Sequence, residues 1–259
     1  MSEINLDQVR RFWQAHPVAA EAVPFPLGTR EYFEYYDRLR EANESVAFSA
    51  ALHEYEKFAG ERVLDVGCGN GYVLSRYAAA GAITHGVDLT EAGVSLCRRR
   101  FELAGLRGRF TVGSAEDLPF PSQSFGLVCS MGVLHHTPRT ERAVGEIRRV
   151  LRPGGRLIVM FYHRNSFHYR VLFPFRRLFA GKSLQQSINE VDGVGNPKGD
   201  VYSRRELRAL LEGFNDLEMF AGVLPWHKLG AGAELVPAGI RTWAERGAGW
   251  FLYAKGVRA

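Results

Sequence analysis

The fold is decided by residues 63–72, which read VLDVGCGNGY. The apolar start of this stretch predicts a buried strand, and a helical pattern follows from about Gly71 to Ala80. The closely spaced glycines between them let the backbone turn tightly and let a ligand approach without Cβ clashes. A helix that begins at such a turn presents unpaired backbone N–H groups to an electron-rich group. The stretch therefore predicts a strand, a ligand-binding turn and a helix in succession.

The glycine spacing and two carboxylates narrow the ligand of this turn. The pattern is G-x-G-x-G, whereas turns that bind NAD read G-x-G-x-x-G around a pyrophosphate. Asp65, at the base of the turn, would repel a pyrophosphate and would suit a cationic amine. Asp88 lies 21 residues after Gly67 (88 − 67) at the end of the next predicted strand, where an acid can accept both ribose hydroxyls of an adenosine. We expect a ligand with adenosine at one end and an amino acid at the other, which leaves an NAD-dependent oxidoreductase as a distant alternative.

Predicted strands and helices alternate from residue 61 to residue 162. The strands cover 62–66, 83–87, 109–112, 125–130 and 156–162, and the helices cover about 71–80, 91–104 and 140–150. This order predicts an α/β fold with a parallel sheet and helices on both faces. The pattern resumes at Ser203, which is predicted to form a capping box with Glu206. Two more strands are expected near 217–223 and 250–256, joined by a connecting segment that contains Gly230, Gly232 and Pro237. We therefore assign residues 60–162 and 203–259 to one Rossmann-like domain.

Two segments fall outside this alternation. Residues 1–59 are predicted to form a helical, aromatic-rich N-terminal cap, whose first helix is capped by Asp7 and whose third helix runs from about 45 to 58. Residues 163–202 are predicted to be an inserted substrate lid. Its stretch 164–182 interleaves arginines with aromatics, and a membrane-touching amphipathic helix or a packed surface helix are the alternatives.

Composition sets the class of protein. The chain has 259 residues, of which 46% are hydrophobic, and no apolar run approaches the length of a membrane-spanning helix. No secretory signal is visible, and Cys68, Cys97 and Cys129 lack the spacing of a metal site, so we expect free thiols, no bound metal and a cytoplasmic location. The net charge of +5 is attributed mainly to solvated helix faces rather than to nucleic acid, with peripheral membrane contact left open. The oligomeric state is not predicted.

The sequence resembles the class I S-adenosylmethionine-dependent methyltransferases, in the branch of ubiquinone/menaquinone C-methyltransferases and many small-molecule methyltransferases. The matching stretches are VLDVGCGNG at 63–71, GVDLT at 86–90, GSAEDLPFPSQSFGLV at 113–128, SMGVLHHTP at 130–138 and RRVLRPGGRLIV at 148–159. The resemblance implies a Rossmann-like, seven-stranded, mostly parallel sheet with an antiparallel last strand. It also implies S-adenosylmethionine as the cofactor and S-adenosylhomocysteine as its product.

On the methionine side of the cofactor, the resemblance implies contacts from the turn and from the end of the fourth strand. Asp65 would lie near the amino group, and Ser130 and Met131 would lie near the sulfonium. The residues that would pass under the methionine part are Gly67, Cys68, Gly69 and Gly71.

On the adenosine side, the resemblance implies that Asp88 binds the ribose and that Leu89 packs on the adenine. Ala115 and Glu116 would edge the adenine with a backbone N–H and an acidic acceptor. Many relatives carry Asp at position 114, where this chain has Ser114, so adenine recognition is not assigned to that residue.

The acceptor is expected to be a small molecule of a biosynthetic or secondary-metabolite pathway that is methylated at oxygen. A histidine could remove the hydroxyl proton because imidazole titrates near neutrality, and the candidates are His136, His135 and His163. Residues expected to contact the acceptor are Tyr36, His53, Trp13 and Tyr162.

Other acceptors and a non-catalytic role stay as alternatives. Methylation at nitrogen or carbon is open, and so is an RNA or protein acceptor. An RNA or protein acceptor is disfavoured because this chain has Ser130-Met131-Gly132-Val133 where amino-group methyltransferases of nucleic acids and proteins carry N-P-P-[YF]. A binding protein without activity is the remaining class.

Overall fold

A computed structural model describes residues 4–173, 184–224 and 236–259. The N-terminal segment forms α1 (Leu6–Ala15), α2 (Arg30–Asn43), α3 (Val46–His53) and a 3₁₀ turn (Tyr55–Phe58). The alternating part comprises β1 (Arg62–Val66), α4 (Tyr72–Ala79), β2 (Ile83–Asp88), α5 (Glu91–Ala104), β3 (Arg109–Val112), β4 (Phe125–Met131), a 3₁₀ turn (Leu134–His136), α6 (Thr140–Val150) and β5 (Leu151–His163). The described remainder comprises a π-helical turn (His168–Leu172), α7 (Leu184–Asn189), a 3₁₀ turn (Glu190–Asp192), β6 (Val201–Tyr202), α8 (Arg204–Leu210), β7 (Phe214–Gly222), α9 (Ala238–Ala248) and β8 (Phe251–Arg258).

The sheet has the order β3-β2-β1-β4-β5-β8-β7, with the two-residue β6 paired to β5. Strands β1 to β5 pair in parallel, while β8 runs antiparallel to both β5 and β7. The predicted fold class, a mostly parallel Rossmann-like sheet with an antiparallel last strand, is confirmed. The strand count differs by one within the described ranges because β6 adds an eighth strand.

Hydrophobic side chains fill both faces of the sheet. On β1, Leu64 and Val66 belong to the core under α6 and α8, whereas Val63 belongs to the core under α4 and α5. Side chains alternate along a strand, so Asp65 faces the same side as Val63. That is the side on which the N-terminal helices pack, because Tyr32 and Leu52 belong to the same core as Val63.

Several element boundaries differ from the prediction. Helix α1 is capped by Asn5, whose side chain forms a capping box with Gln8, and not by Asp7. The predicted third helix breaks at Glu54, which adopts the left-handed region (φ 49°) and separates α3 from the 3₁₀ turn. Helix α9 occupies part of what the sequence predicted as a connecting segment.

The predicted lid is only partly described. Tyr169, Phe173 and Ile188 of this segment are buried against Tyr162 at the end of β5. Its aromatic and basic residues Phe175, Arg176, Arg177, Phe179 and Lys182 lie outside the described residues, as do Gly230 and Gly232 of the predicted connecting segment. The described part of 163–202 is therefore a set of short helices and turns that packs on β5.

Candidate functional site

The glycine turn is held in a backbone conformation that other residues rarely adopt. Gly67, Gly69 and Gly71 have φ values of 79°, 49° and 77°. A Cβ built on Gly67 would lie 2.3 Å from a methyl carbon of Val133, which belongs to the loop after β4. Both the left-handed conformation and the close approach therefore require glycine at position 67. Gly71 ends the turn at the start of α4, packs against Cys97 and does not line the cavity described below.

Asp88 is fixed at the end of β2 by its neighbours. One carboxylate oxygen accepts the backbone N–H of Gly69 (3.0 Å), and the other accepts the N–H and hydroxyl of Thr90 (2.9 and 2.8 Å). Burial raises the pKa of this carboxyl, although these hydrogen bonds favour the ionised form and lower it. The carboxylate is thus oriented before any ligand binds, and it lines the same cavity as the turn.

Asp65 lies at the base of the turn with a side chain that is 4% exposed. Burial raises its pKa from 3.8 to about 7, against the lowering effect of a hydrogen bond with Cys129 and of the nearby Arg40 guanidinium. An acid with this environment gains most from a cationic partner, since a nearby positive charge favours the ionised form.

Arg40 of α2 also lines the cavity, and the sequence analysis missed it. Its guanidinium pairs with Glu44 at 2.9 Å and lies over the ring of Tyr72 at 4.8 Å. Its Nε is buried and has no hydrogen-bond partner within the described part of the chain. The available signal was its position four residues, one helical turn, after the predicted contact residue Tyr36.

A single cavity extends from the turn to the loop after β4 and to the N-terminal helix α1. Among the predicted site residues, those that line it are Trp13, Tyr36, Asp65, Gly67, Cys68, Gly69, Asp88, Leu89, Ala115, Met131, His136 and Tyr162. Residues that the sequence analysis did not name also line it, among them Leu6, Val9, Arg40, Ser114, Met160 and Asp192. The cavity combines the predicted donor residues with an apolar compartment under α1.

Besides Gly71, two residues predicted to contact the cofactor lie outside this cavity, Glu116 and Ser130. The Glu116 side chain is 2% exposed, and its carboxylate accepts the backbone N–H and Nε–H of Arg139, both at 2.8 Å. Ser130 is fully buried and donates its hydroxyl to the Val66 carbonyl at 2.8 Å. The polar side-chain atoms of both residues are therefore already hydrogen-bonded within the protein.

The acceptor end of the cavity holds a cluster of polar and aromatic side chains. His136 Nδ1 lies 2.6 Å from the carbonyl oxygen of Lys198, and its Nε2 lies 3.5 Å from a carboxylate oxygen of Asp192. The Tyr162 hydroxyl donates to the other Asp192 oxygen at 2.5 Å. The ring of Trp13, on α1, lies 5.1 Å from the His136 ring. Four segments far apart in sequence therefore meet at this end.

The other predicted histidines lie away from the cavity. His135 is fully buried with its ring 4.2 Å from that of Tyr162, and burial holds its pKa well below the usual range. His163 Nδ1 lies 3.0 Å from the Gly249 carbonyl, and burial lowers its pKa as well. His53 pairs with the Tyr77 hydroxyl at 3.0 Å, and burial lowers its pKa to about 3. All three have packed, interior environments, so the structure does not place them where an acceptor could reach them.

The described residues include no group of three or more His, Cys, Asp or Glu side chains that could hold a metal ion. Cys68, Cys97 and Cys129 are buried free thiols. No helix within the described ranges is both long and apolar enough to cross a membrane.

Comparisons with known proteins agree with this geometry. A family model described as a methyltransferase domain matches residues 64–159. The fatty-acid O-methyltransferase of Mycolicibacterium smegmatis is 45% identical over 98 residues, which are 37% of this chain and 35% of that protein. Phthiotriol/phenolphthiotriol dimycocerosates methyltransferase 1 of Mycobacterium ulcerans is 43% identical over 105 residues, which are 39% of this chain and 38% of that protein. The match thus spans little more than a third of each relative.

The fold is shared over a greater length. A solved S-adenosylmethionine-dependent methyltransferase of Thermotoga maritima has a TM-score of 0.57 at 22% identity, covering 88% of this chain and 96% of that one. The resemblance to class I methyltransferases is confirmed, whereas the narrower likeness to quinone C-methyltransferases stays a prediction. The domain match supports a methyltransferase rather than the NAD-dependent oxidoreductase that the sequence left as a distant alternative. From its sheet order, its glycine turn and the match over residues 64–159, this chain contains a class I S-adenosylmethionine-dependent methyltransferase domain.

Proposed function

We propose that this protein transfers a methyl group from S-adenosylmethionine to an oxygen atom of a small, largely apolar acceptor of lipid type. One observation carries the proposal: a single cavity is lined by the turn and Asp88 at the donor end and by His136 at the acceptor end. Apolar side chains make up much of its lining, including Leu6, Val9 and Met160. Such a compartment suits an apolar acceptor.

The names of the matched relatives support a lipid-type acceptor. One is named a fatty-acid O-methyltransferase, and others are named phthiotriol/phenolphthiotriol dimycocerosates methyltransferases. The match covers the cofactor-binding region, so it supports the donor more directly than the acceptor. The acceptor class is therefore proposed from the cavity together with these names.

The residues at the donor end fit the cofactor. The buried carboxyl of Asp65 would bind the cationic amino group, and the unpartnered Nε of Arg40 would donate to the carboxylate of the methionine part. Asp88 would accept the ribose hydroxyls, while Leu89 and Ala115 would flank the adenine. Bound there, S-adenosylmethionine supplies a methyl group already activated by its sulfonium.

The protein's own contribution is orientation, exclusion of water and removal of one proton. Helix α1 covers the cavity through Leu6, Val9 and Trp13, which keeps the compartment apolar. A carbonyl oxygen only accepts hydrogen bonds, so the contact with Lys198 fixes a proton on His136 Nδ1. In the neutral ring, Nε2 then carries the lone pair and can take the acceptor's hydroxyl proton.

Calorimetry and a turnover assay test this function in sequence. S-adenosylhomocysteine should bind in the micromolar range and NAD should not, because the turn and Asp65 do not suit a pyrophosphate. Release of S-adenosylhomocysteine should then be measured with apolar alcohols and phenols, and with matched amines, activated carbon acids, RNA and protein as the alternative acceptors. Absence of S-adenosylhomocysteine binding would refute the central claim.

The role of His136 is tested by His136→Asn. Turnover should fall by about 100-fold or more, in line with the loss of a general base, while the affinity for S-adenosylhomocysteine stays unchanged. His85→Asn is the matched control, because His85 is a buried histidine of β2 that does not line the cavity. Equal turnover of the His136 variant and the wild type would exclude His136 as the general base.

A further inference from the structure

Asp192 carries an unused carboxylate oxygen at the acceptor end of the cavity. Its Oδ1 accepts the Tyr162 hydroxyl, whereas its Oδ2 is buried and has no hydrogen-bond partner in the described part of the chain. The 3.5 Å between Oδ2 and His136 Nε2 is an electrostatic contact too long for a well-formed hydrogen bond. A buried carboxylate oxygen without a donor is costly, so a donor is expected from a ligand.

The geometry of His136 places a second acceptor opposite this oxygen. Its Nδ1 donates to the Lys198 carbonyl at 2.6 Å, which leaves the Nε2 lone pair of the neutral ring directed to the side of Asp192. At 3.5 Å apart, these two acceptors leave no room for an oxygen atom directly between them, so a ligand hydroxyl would approach them from the cavity. It can donate its proton to only one of the two at a time.

The charged groups near His136 Nε2 and Asp192 Oδ2 indicate whether a neutral or a negatively charged ligand is favoured there. The other cavity-lining residues with a charged side chain are Arg40, Asp65 and Asp88, which belong to the donor end. Arg40 is already paired with Glu44. At the acceptor end, the nearby Lys198 ammonium is hydrogen-bonded to Asp200 at 2.5 Å, and Lys198 does not line the cavity.

A carboxylate ligand would therefore meet the negative charge of Asp192, with no free cation among the described cavity-lining residues to balance it. Like charges brought together in a site of low polarity disfavour binding, whereas a neutral hydroxyl can donate to the unpaired carboxylate oxygen or to the histidine. The acceptor end of the cavity should therefore bind a hydroxyl group more tightly than a carboxylate.

We infer that the acceptor is a neutral alcohol or phenol whose hydroxyl contacts His136 Nε2 and Asp192 Oδ2 from the cavity side, and that free carboxylic acids are excluded. This inference rests on the proposed methyltransferase function and specifies its acceptor. The acceptor oxygen forms a bond to the methyl carbon while the carbon–sulfur bond breaks and its electron pair stays on sulfur. The hydroxyl proton passes to His136 Nε2, and the adjacent Asp192 carboxylate stabilises the imidazolium that results.

The inferred acceptor differs from the compound class in the name of one matched relative. The name of one relative specifies a fatty acid, the compound class that the Asp192 carboxylate disfavours here. That relative is matched over only 98 residues, 37% of this chain, and Trp13 and Asp192 lie outside the 64–159 domain match. The acceptor of this chain is therefore set by its own flanking segments.

Two probes with the same apolar tail test the inference. The full chain is first saturated with S-adenosylhomocysteine, and 4-octylphenol and 4-octylbenzoate are then titrated by calorimetry at about pH 8, where the benzoate is ionised. The phenol should bind about tenfold or more tightly than the benzoate, as expected for one unbalanced like-charge contact. Asp192→Asn should remove most of this preference, chiefly by strengthening benzoate binding, and should lower turnover of the phenol.

Asp216→Asn is the control, because it removes an exposed carboxylate on β7 that does not line the cavity. It should retain the preference of the wild type. A wild-type protein that binds the benzoate as tightly as the phenol overturns the inference, as does an unchanged preference in Asp192→Asn. Failure of both probes to bind the S-adenosylhomocysteine complex also overturns it, whereas failure of S-adenosylhomocysteine itself refutes the proposed function.

Discussion

Replacing Asp65 by asparagine should make the free protein more stable and its cofactor complex weaker. Burial raises the pKa of Asp65 from 3.8 to about 7. The difference of 3.2 (7 − 3.8), at about 1.36 kcal/mol per pH unit, corresponds to about 4 kcal/mol as the upper limit of the extra cost of ionising this group in the folded protein. The folded protein retains the Asp65 proton between about pH 4 and 7, where the unfolded chain has lost it, so this group's contribution to stability falls as pH rises through that window.

The free energy of unfolding should therefore be compared in urea for the wild type and Asp65→Asn. Near pH 4 the two proteins should be similar, and above about pH 7 the variant should be more stable by up to about 4 kcal/mol, because an amide avoids the ionisation cost. Asp7→Asn is the control, since Asp7 is an exposed aspartate of α1 and its loss should not produce this pH-dependent difference.

The same variant should bind S-adenosylhomocysteine more weakly by about tenfold or more, because the cationic amino group loses its carboxylate partner. A gain in stability combined with a loss of affinity is the signature of a charge kept in the interior for a ligand. A variant that is less stable than the wild type at pH 8 and binds S-adenosylhomocysteine equally well would refute this reasoning.

Two further predictions concern the donor end. Gly67→Ala should lower the free energy of unfolding by about 1–3 kcal/mol more than Gly60→Ala in urea denaturation, because both glycines have positive φ (79° and 76°) but only the Cβ at 67 would collide with Val133. Equal effects of the two substitutions would show that the close approach is unimportant. Asp88→Ala should weaken the binding of S-adenosylhomocysteine, measured by calorimetry, by about tenfold or more, which is equivalent to about 1.4 kcal/mol. An unchanged affinity would exclude the contact between Asp88 and the ribose.

The donor end was largely readable because its parts are contiguous. Strand β1, the glycine turn and α4 follow one another within residues 62–79, and Asp88 ends the adjacent strand. Steric rules for glycine and the alternation of apolar residues act between near neighbours, so they leave a local signature. The same local rules also predicted the Ser203 capping box, which the structure contains.

Local patterns were less informative about the hydrogen-bond partners of polar side chains, because a competing local contact or a distant segment determines those partners. Asn5, not Asp7, caps α1 because its side chain and that of Gln8 satisfy each other's backbone N–H groups. Glu116 looked available to an adenine, but Arg139 takes both of its oxygens. Neither contact is visible from hydrophobic periodicity, which records burial and not the identity of a polar partner.

The sequence by itself determined the order of strands and helices from residue 61 to residue 162, the turn and the chemistry of the donor. Tertiary structure decided which of two adjacent histidines reaches the cavity: His136 lines it, whereas His135 packs against Tyr162. It also brought Asp192 and Trp13 to His136 from outside the alternating domain. The physical reason is that side-chain direction at a chain reversal depends on what packs against it, and here those neighbours come from segments that are distant in sequence and carry no periodic signal of their own.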